Sequence, residues 1–176
     1  MSLPSNQAAH SNQFGTLRGI PYGECITRKE CMFDIRVSTP PHTNEHGFPE
    51  AGGELRLGDE IFRFAIDLRY WPVTEYETQW REGIWRLLEG ASSSALMTAY
   101  SGFAGHMHHM WALWREDKWL YVQQHAVIDR DLDHPFLPNN PYAYVGARVE
   151  AAKYELPIPE WRVALTDIFA AAKKIA

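Results

Sequence analysis

The sequence predicts an α+β domain: a largely antiparallel sheet of about six strands with two main helices packed on it. Three observations carry that prediction. Several short runs alternate apolar and polar residues, the period of a half-buried strand. Two of these runs meet at Gly58-Asp59, a hairpin signature. Two other stretches, around Tyr76–Leu88 and Trp161–Ala172, repeat apolar residues at helical spacing. The resulting order, β-β-β-α-β-β-β-loop-α, lacks the regular βαβ alternation of a doubly wound parallel sheet.

Residues 1–24 are polar, rich in Ser, Asn, Gln and Gly, and read as a flexible N-terminal tail, with 25–176 forming a single domain. Phe33-Asp34-Ile35-Arg36-Val37 alternates as a strand does. Thr39 to Gly52 holds Pro40, Pro41 and Pro49 and is expected to be a loop. Glu54–Leu57 and Glu60–Ile66 form the hairpin, and Gly58 at the first central position suits a type II′ turn. Thr74 and Glu77 have the spacing of a capping box, with Thr74 as N-cap. Tyr76, Trp80, Ile84, Leu87 and Leu88 then share a face, and Gly90 stops the helix. Gly83, inside it, costs about 1 kcal/mol relative to Ala.

Strands are expected next at Ala95–Tyr100, Met110–Arg115 and Trp119–Ile128, the last two joined by a turn at Glu116-Asp117-Lys118. Asp129 to Tyr142, with three Asp and three Pro, is a loop. Pro157 and Pro159 precede a closing helix on which Trp161, Leu165, Ile168, Phe169 and Ala172 share a face. Lys173 and Lys174 suit its C-terminal dipole. Trp80, Leu87, Phe62, Phe64 and Trp161 are the predicted core markers.

Composition bounds the function. The chain has 176 residues, 45% hydrophobic and 13% aromatic, enough for a sizeable core. A net charge of −5 without a basic stripe argues against nucleic-acid binding. No run of ~18 apolar residues could span a membrane, and no signal-peptide pattern opens the chain, so a cytoplasmic location is expected. Cys25 and Cys31 are too few for a disulfide scaffold and read as reduced thiols.

Candidate chemistry is sparse. His106, His108 and His109 crowd one strand start. His106 and His108 would share a face there, with His125 or Glu116 as a third metal ligand and His134 nearby. The competing reading is a polar loop with exposed histidines, and no bound metal or cofactor is expected. Ser92, Ser93 and Ser94 lack a nucleophile elbow. Gly102 and Gly105 form no phosphate cradle. Glu75 and Glu77 favour a helix start rather than acid–base work. Asp129, Asp131 and Asp133 offer oxygens at alternate positions but lack the Gly and closing Glu of a calcium loop. No catalytic constellation emerges.

Residues Tyr76-Glu77-Thr78-Gln79-Trp80 open a helix after a hairpin, and Gly90 and Ser94-Ala95-Leu96 lead into a strand. Met110-Trp111-Ala112-Leu113-Trp114, Val122-Gln123-Gln124 and Pro159-Glu160-Trp161 complete the pattern. This order resembles bacterial immunity proteins of contact-dependent growth inhibition systems, over about Met32 to Phe169. The resemblance implies a non-enzyme that binds the toxic C-terminal domain of a delivery protein, often a nuclease, and neutralises it in the cytoplasm. The acidic residues Glu116, Asp117, Asp129, Asp131 and Asp133 are the expected toxin-binding groups. Two other readings stand beside it: a small metal-dependent enzyme built on His106 and His108, and a protein enclosing an apolar ligand.

Overall fold

A computed structural model describes residues 33–100, 107–148 and 158–175. The tail, Cys25, Cys31, Gly102, Gly105, His106 and Pro157 lie outside the described residues. The described elements are β1 (Phe33–Thr43), β2 (Pro49–Leu57), β3 (Glu60–Asp67), α1 (Val73–Leu88), β4 (Ser93–Ala99), β5 (Met107–Glu116), β6 (Trp119–Ile128), β7 (Glu160–Ala164) and α2 (Leu165–Ile175). The α+β prediction holds, with seven antiparallel strands divided between two sheets, β1-β2-β3 and β4-β5-β6-β7.

The three-stranded sheet shows the alternation read from the sequence. Its inner rows align Ile35, Leu55 and Phe62, then Val37, Gly53 and Phe64. The outer row aligns Arg36, Glu54 and Arg63, with both guanidinium groups on the one carboxylate at 2.9 and 3.1 Å. The Gly58-Asp59 turn has Gly58 at φ +65°, and Asp59 stays at negative φ, as type II′ requires.

The predicted Pro-rich loop is a correction. β1 runs to Thr43 and β2 begins at Pro49, so most of 39–52 is a projecting hairpin. Proline is tolerated there because Pro40 and Pro41 sit on an edge strand interrupted by register shifts, and Pro49 is the first residue of its strand.

Helix α1 begins two residues earlier than the capping box implies. Pro72 is the N-cap, in extended conformation, and no side chain caps the helix. Thr74 thus lies inside the first turn, where its hydroxyl cannot serve as the cap. The C-terminus behaves as expected: Gly90 at φ +109° donates to Leu87 O, and Ala91 donates to Arg86 O, a Schellman closure. Tyr76, Trp80, Ile84 and Leu87 are buried, Leu88 only partly; Gln79 and Gly83 are buried with them.

The closing helix is also corrected. Residues 160–164 form β7, paired to β6 with Trp161 opposite Val122, and α2 starts at Leu165. Trp161 and Val163 suit a pleated surface, and pairing satisfies backbone groups of β6 that would otherwise face an open edge. Leu165, Ile168, Ala171 and Ala172 of α2 enter the core, while Phe169 faces out, 48% exposed. Of the core markers, Trp80 and Leu87 are fully buried. Phe62, Phe64 and Trp161 are half-buried and packed against that core.

Candidate functional site

Three constructions decide which surfaces remain free: the closure of β4's edge, a strap across the second sheet, and the distribution of paired and unpaired charge.

An edge strand exposes unpaired N–H and C=O groups. On β4 those groups are taken by α1. The Gln79 side-chain amide donates to Ala95 O and accepts from Met97 N–H, both at 2.8 Å, as the peptide of a neighbouring strand would. The Trp80 indole N–H donates to Met97 O at 2.6 Å. The Tyr76 hydroxyl accepts from Tyr100 N–H at 3.0 Å and donates to Asp67 O at 2.8 Å, tying both sheets to the helix. Burial raises the Tyr76 hydroxyl far above its usual pKa, so it remains a neutral donor. Gly83 makes the approach possible. A Cβ there would lie 2.6 Å from Ala95 O, and Ser94 Oγ donates to Gly83 O at 2.7 Å. Ser94 is therefore a packing residue.

Residues 129–148 form the strap. At its start, Asp129 Oδ1 lies 2.8 Å from His108 Nε2. The His108 ring, 1% exposed, stacks on Phe136 at 4.1 Å and on Tyr100 at 5.4 Å. Near its end, Gly146 O accepts from the Trp114 indole at 2.9 Å. At the end, Arg148 pairs with Glu160 at 2.7 Å and Glu116 at 2.9 Å, and its guanidinium lies 3.3 Å from the Tyr121 ring centroid.

The five sequence-predicted acidic residues are thereby separated. Glu116 and Asp117 lie at one end of β6, and Asp129, Asp131 and Asp133 follow its other end, about 30 Å away at ~3.3 Å per residue. Glu116 is held by Arg148 and Asp129 by His108. Asp131 sits 3.5 Å from Arg130 on the surface. Asp117, at φ +51° in its turn, and Asp133 are exposed.

The metal reading loses its proposed third ligand. Glu116 is eight residues along β5 from His108, roughly 26 Å. His125 shares the face of His108 but lies 3.1 Å from Gln123 Oε1, against Trp114. Burial lowers the pKa of both His109 and His125. Among the described residues no group of three or more His, Cys, Asp or Glu is placed to hold a metal ion. His134 is exposed, 6.1 Å from Tyr144.

Leu55, Ile66, Tyr76, Trp80, Leu96 and Met97, each at most 1% exposed, belong to one core cluster. No described helix is long and apolar enough to cross a membrane. What sequence reasoning missed is the outer face of α1, where Glu75, Glu82, Trp85 and Glu89 are exposed. The signal was present, because Trp85 falls out of phase with the apolar face.

The family model for the CdiI N-terminal domain matches residues 66–171, from the end of β3 into α2. The chain belongs to the CdiI N-terminal domain family. That span holds α1, the edge it closes and the strap. The fold is similar to a solved structure described as the CdiA-CT/CdiI toxin and immunity complex from Enterobacter cloacae. The likeness covers 82% of this chain and 98% of that one, with a TM-score of 0.72 at 23% identity. No curated protein sequence matches the chain.

Proposed function

We propose that this protein is an immunity protein that binds a cognate CdiA C-terminal toxin domain in the cytoplasm and neutralises it, the toxin being a nuclease. The observation that carries the reading is membership of the CdiI N-terminal domain family over most of the folded core. Some polar side chains that sequence reading could take for functional groups hold the fold instead. His108 and Asp129 pin the strap, and Gln79 closes an edge.

The acidic loops contribute at long range. Asp117 at one end of β6 and Asp131 and Asp133 beyond the other give a field that steers a basic partner and accelerates encounter. Asp129 and Glu116 also fasten the strap, through His108 and Arg148.

The test is co-expression of the chain with the toxin domain encoded beside it, followed by binding kinetics. Protection and a nanomolar complex support the reading; growth arrest with no complex rejects it. Asp117/Asp131/Asp133→Asn should slow association severalfold at low salt and little at high salt, because exposed charges are screened beyond about 10 Å at 0.1 M. An unchanged association rate removes the loops from steering.

A further inference from the structure

Helix α1 has a second face that the fold does not use. Glu75, Thr78, Glu82, Trp85 and Glu89 recur at i, i+3, i+7, i+10 and i+14, a single stripe pointing away from β4. Trp85 is 43% exposed, the most open of the seven Trp residues. Its indole makes no hydrogen bond and no ring contact among the described residues.

The charges beside it are also unspent. Several carboxylates elsewhere have cationic partners: Glu54 has Arg36 and Arg63, Asp67 has Arg69, and Glu116 and Glu160 share Arg148. Glu75, Glu77, Glu82 and Glu89 make no ion pair among the described residues. The helix's own cations form no ion pair with these carboxylates among the described residues. Arg86 lies over the Tyr142 ring at 4.3 Å, and Arg81 donates to Thr78.

Stability does not explain this stripe. The helix dipole favours Glu75 in the first turn but disfavours Glu89 at the C-cap, where the carbonyl end is already negative. An indole in water forgoes the burial that makes Trp worth carrying. Interfaces, by contrast, draw their strongest contacts from Trp and Arg. Glu82 and Glu89 lie three and four residues from Trp85, so their side chains neighbour the indole. A guanidinium laid on the indole could stack with it and meet a carboxylate at the same time.

On the immunity reading above, we propose that the Glu82–Trp85–Glu89 face of α1 is a docking surface for a cationic, Arg-bearing patch of the toxin. Trp85 is the anchor that dissociation must release, and the carboxylates are its charged rim.

The experiment uses the full chain and its toxin domain, with wild type, Trp85→Ala, Trp85→Phe, Glu82/Glu89→Gln, and Glu45→Gln on the distant hairpin as control. Binding kinetics and urea midpoints are read together. Trp85→Ala should raise the dissociation rate about thirtyfold or more, the range of an interface hot spot. Trp85→Phe should recover part of that loss. Glu82/Glu89→Gln should weaken binding and flatten its salt dependence. None of the three should lower the urea midpoint. Wild-type dissociation from the Trp85→Ala variant, with wild type binding, overturns the docking face alone. Failure of wild type to bind overturns the immunity reading and the face with it.

Discussion

Replacing Gln79 by Met isolates the closure of β4's edge. The two side chains have nearly the same reach and helix propensity, so the change removes the amide and little else. It strands Ala95 O and Met97 N–H, which Gln79 now satisfies at 2.8 Å each, beneath a helix where water cannot replace it; Gln79 itself is 5% exposed. Each buried backbone group left unpaired costs about 1–3 kcal/mol. Two give about 2–6 kcal/mol, and the added apolar contact of the thioether recovers roughly 1 kcal/mol. The expected loss is therefore about 3 kcal/mol, a large share of the ~5–15 kcal/mol that holds a domain folded. Urea denaturation reads it as a lower midpoint at unchanged slope. Hydrogen exchange adds a local readout, since the Met97 amide should lose protection beyond the global loss. A midpoint shift worth less than 1 kcal/mol, or a Met97 amide as protected as before, would refute the view that this amide substitutes for a neighbouring strand.

Other perturbations have equally definite outcomes. Trp80→Ala removes a fully buried indole and its bond to Met97 O, and should cost about 3–5 kcal/mol in the same urea assay. Gly83→Ala gains about 1 kcal/mol of helix propensity but brings a methyl 2.6 Å from Ala95 O, so the net effect should be a lower midpoint; a higher one would mean that α1 can shift off β4. Acid should weaken the fold through His109 and His125, whose pKa values burial lowers. With folded values below the ~6.5 of the unfolded chain, the unfolded state binds more protons, so stability is full above about pH 6.5, falls as pH drops from there to the folded values, and levels off below them. His125→Gln should flatten that decline.

The fold class and most elements were legible because their signals are local. Alternation marked β1, β2 and β3, apolar periodicity marked α1, and Gly58 and Gly90 lie at the positive φ values their turns need. What failed depended on partners distant in sequence. Five residues at 160–164 are too few to separate a strand from the first turn of a helix, and β6 decides between them. Pro40 and Pro41 read as a loop unless one knows that β1 is an edge. Asp129 looked like a free acid until the chain brought His108, 21 residues back, within 2.8 Å. Gln79 looked like an ordinary polar residue because nothing in its neighbourhood announces an unpaired strand edge.

The strap has a kinetic consequence. Residues 129–148 add no strand to either sheet and are fastened mainly by side chains: Asp129 to His108, the stacked rings of Phe136 and His108, Trp114 to Gly146 O, and Arg148 to Glu116 and Glu160. Regions secured by few backbone bonds open at lower free energy than the sheet they cover. The strap can therefore lift while β4, β5 and β6 stay paired, uncovering Trp114 and Tyr121 for as long as it is raised. Among the described residues the strap would be breached first, so a protease cutting within 129–148 would leave the paired strands standing.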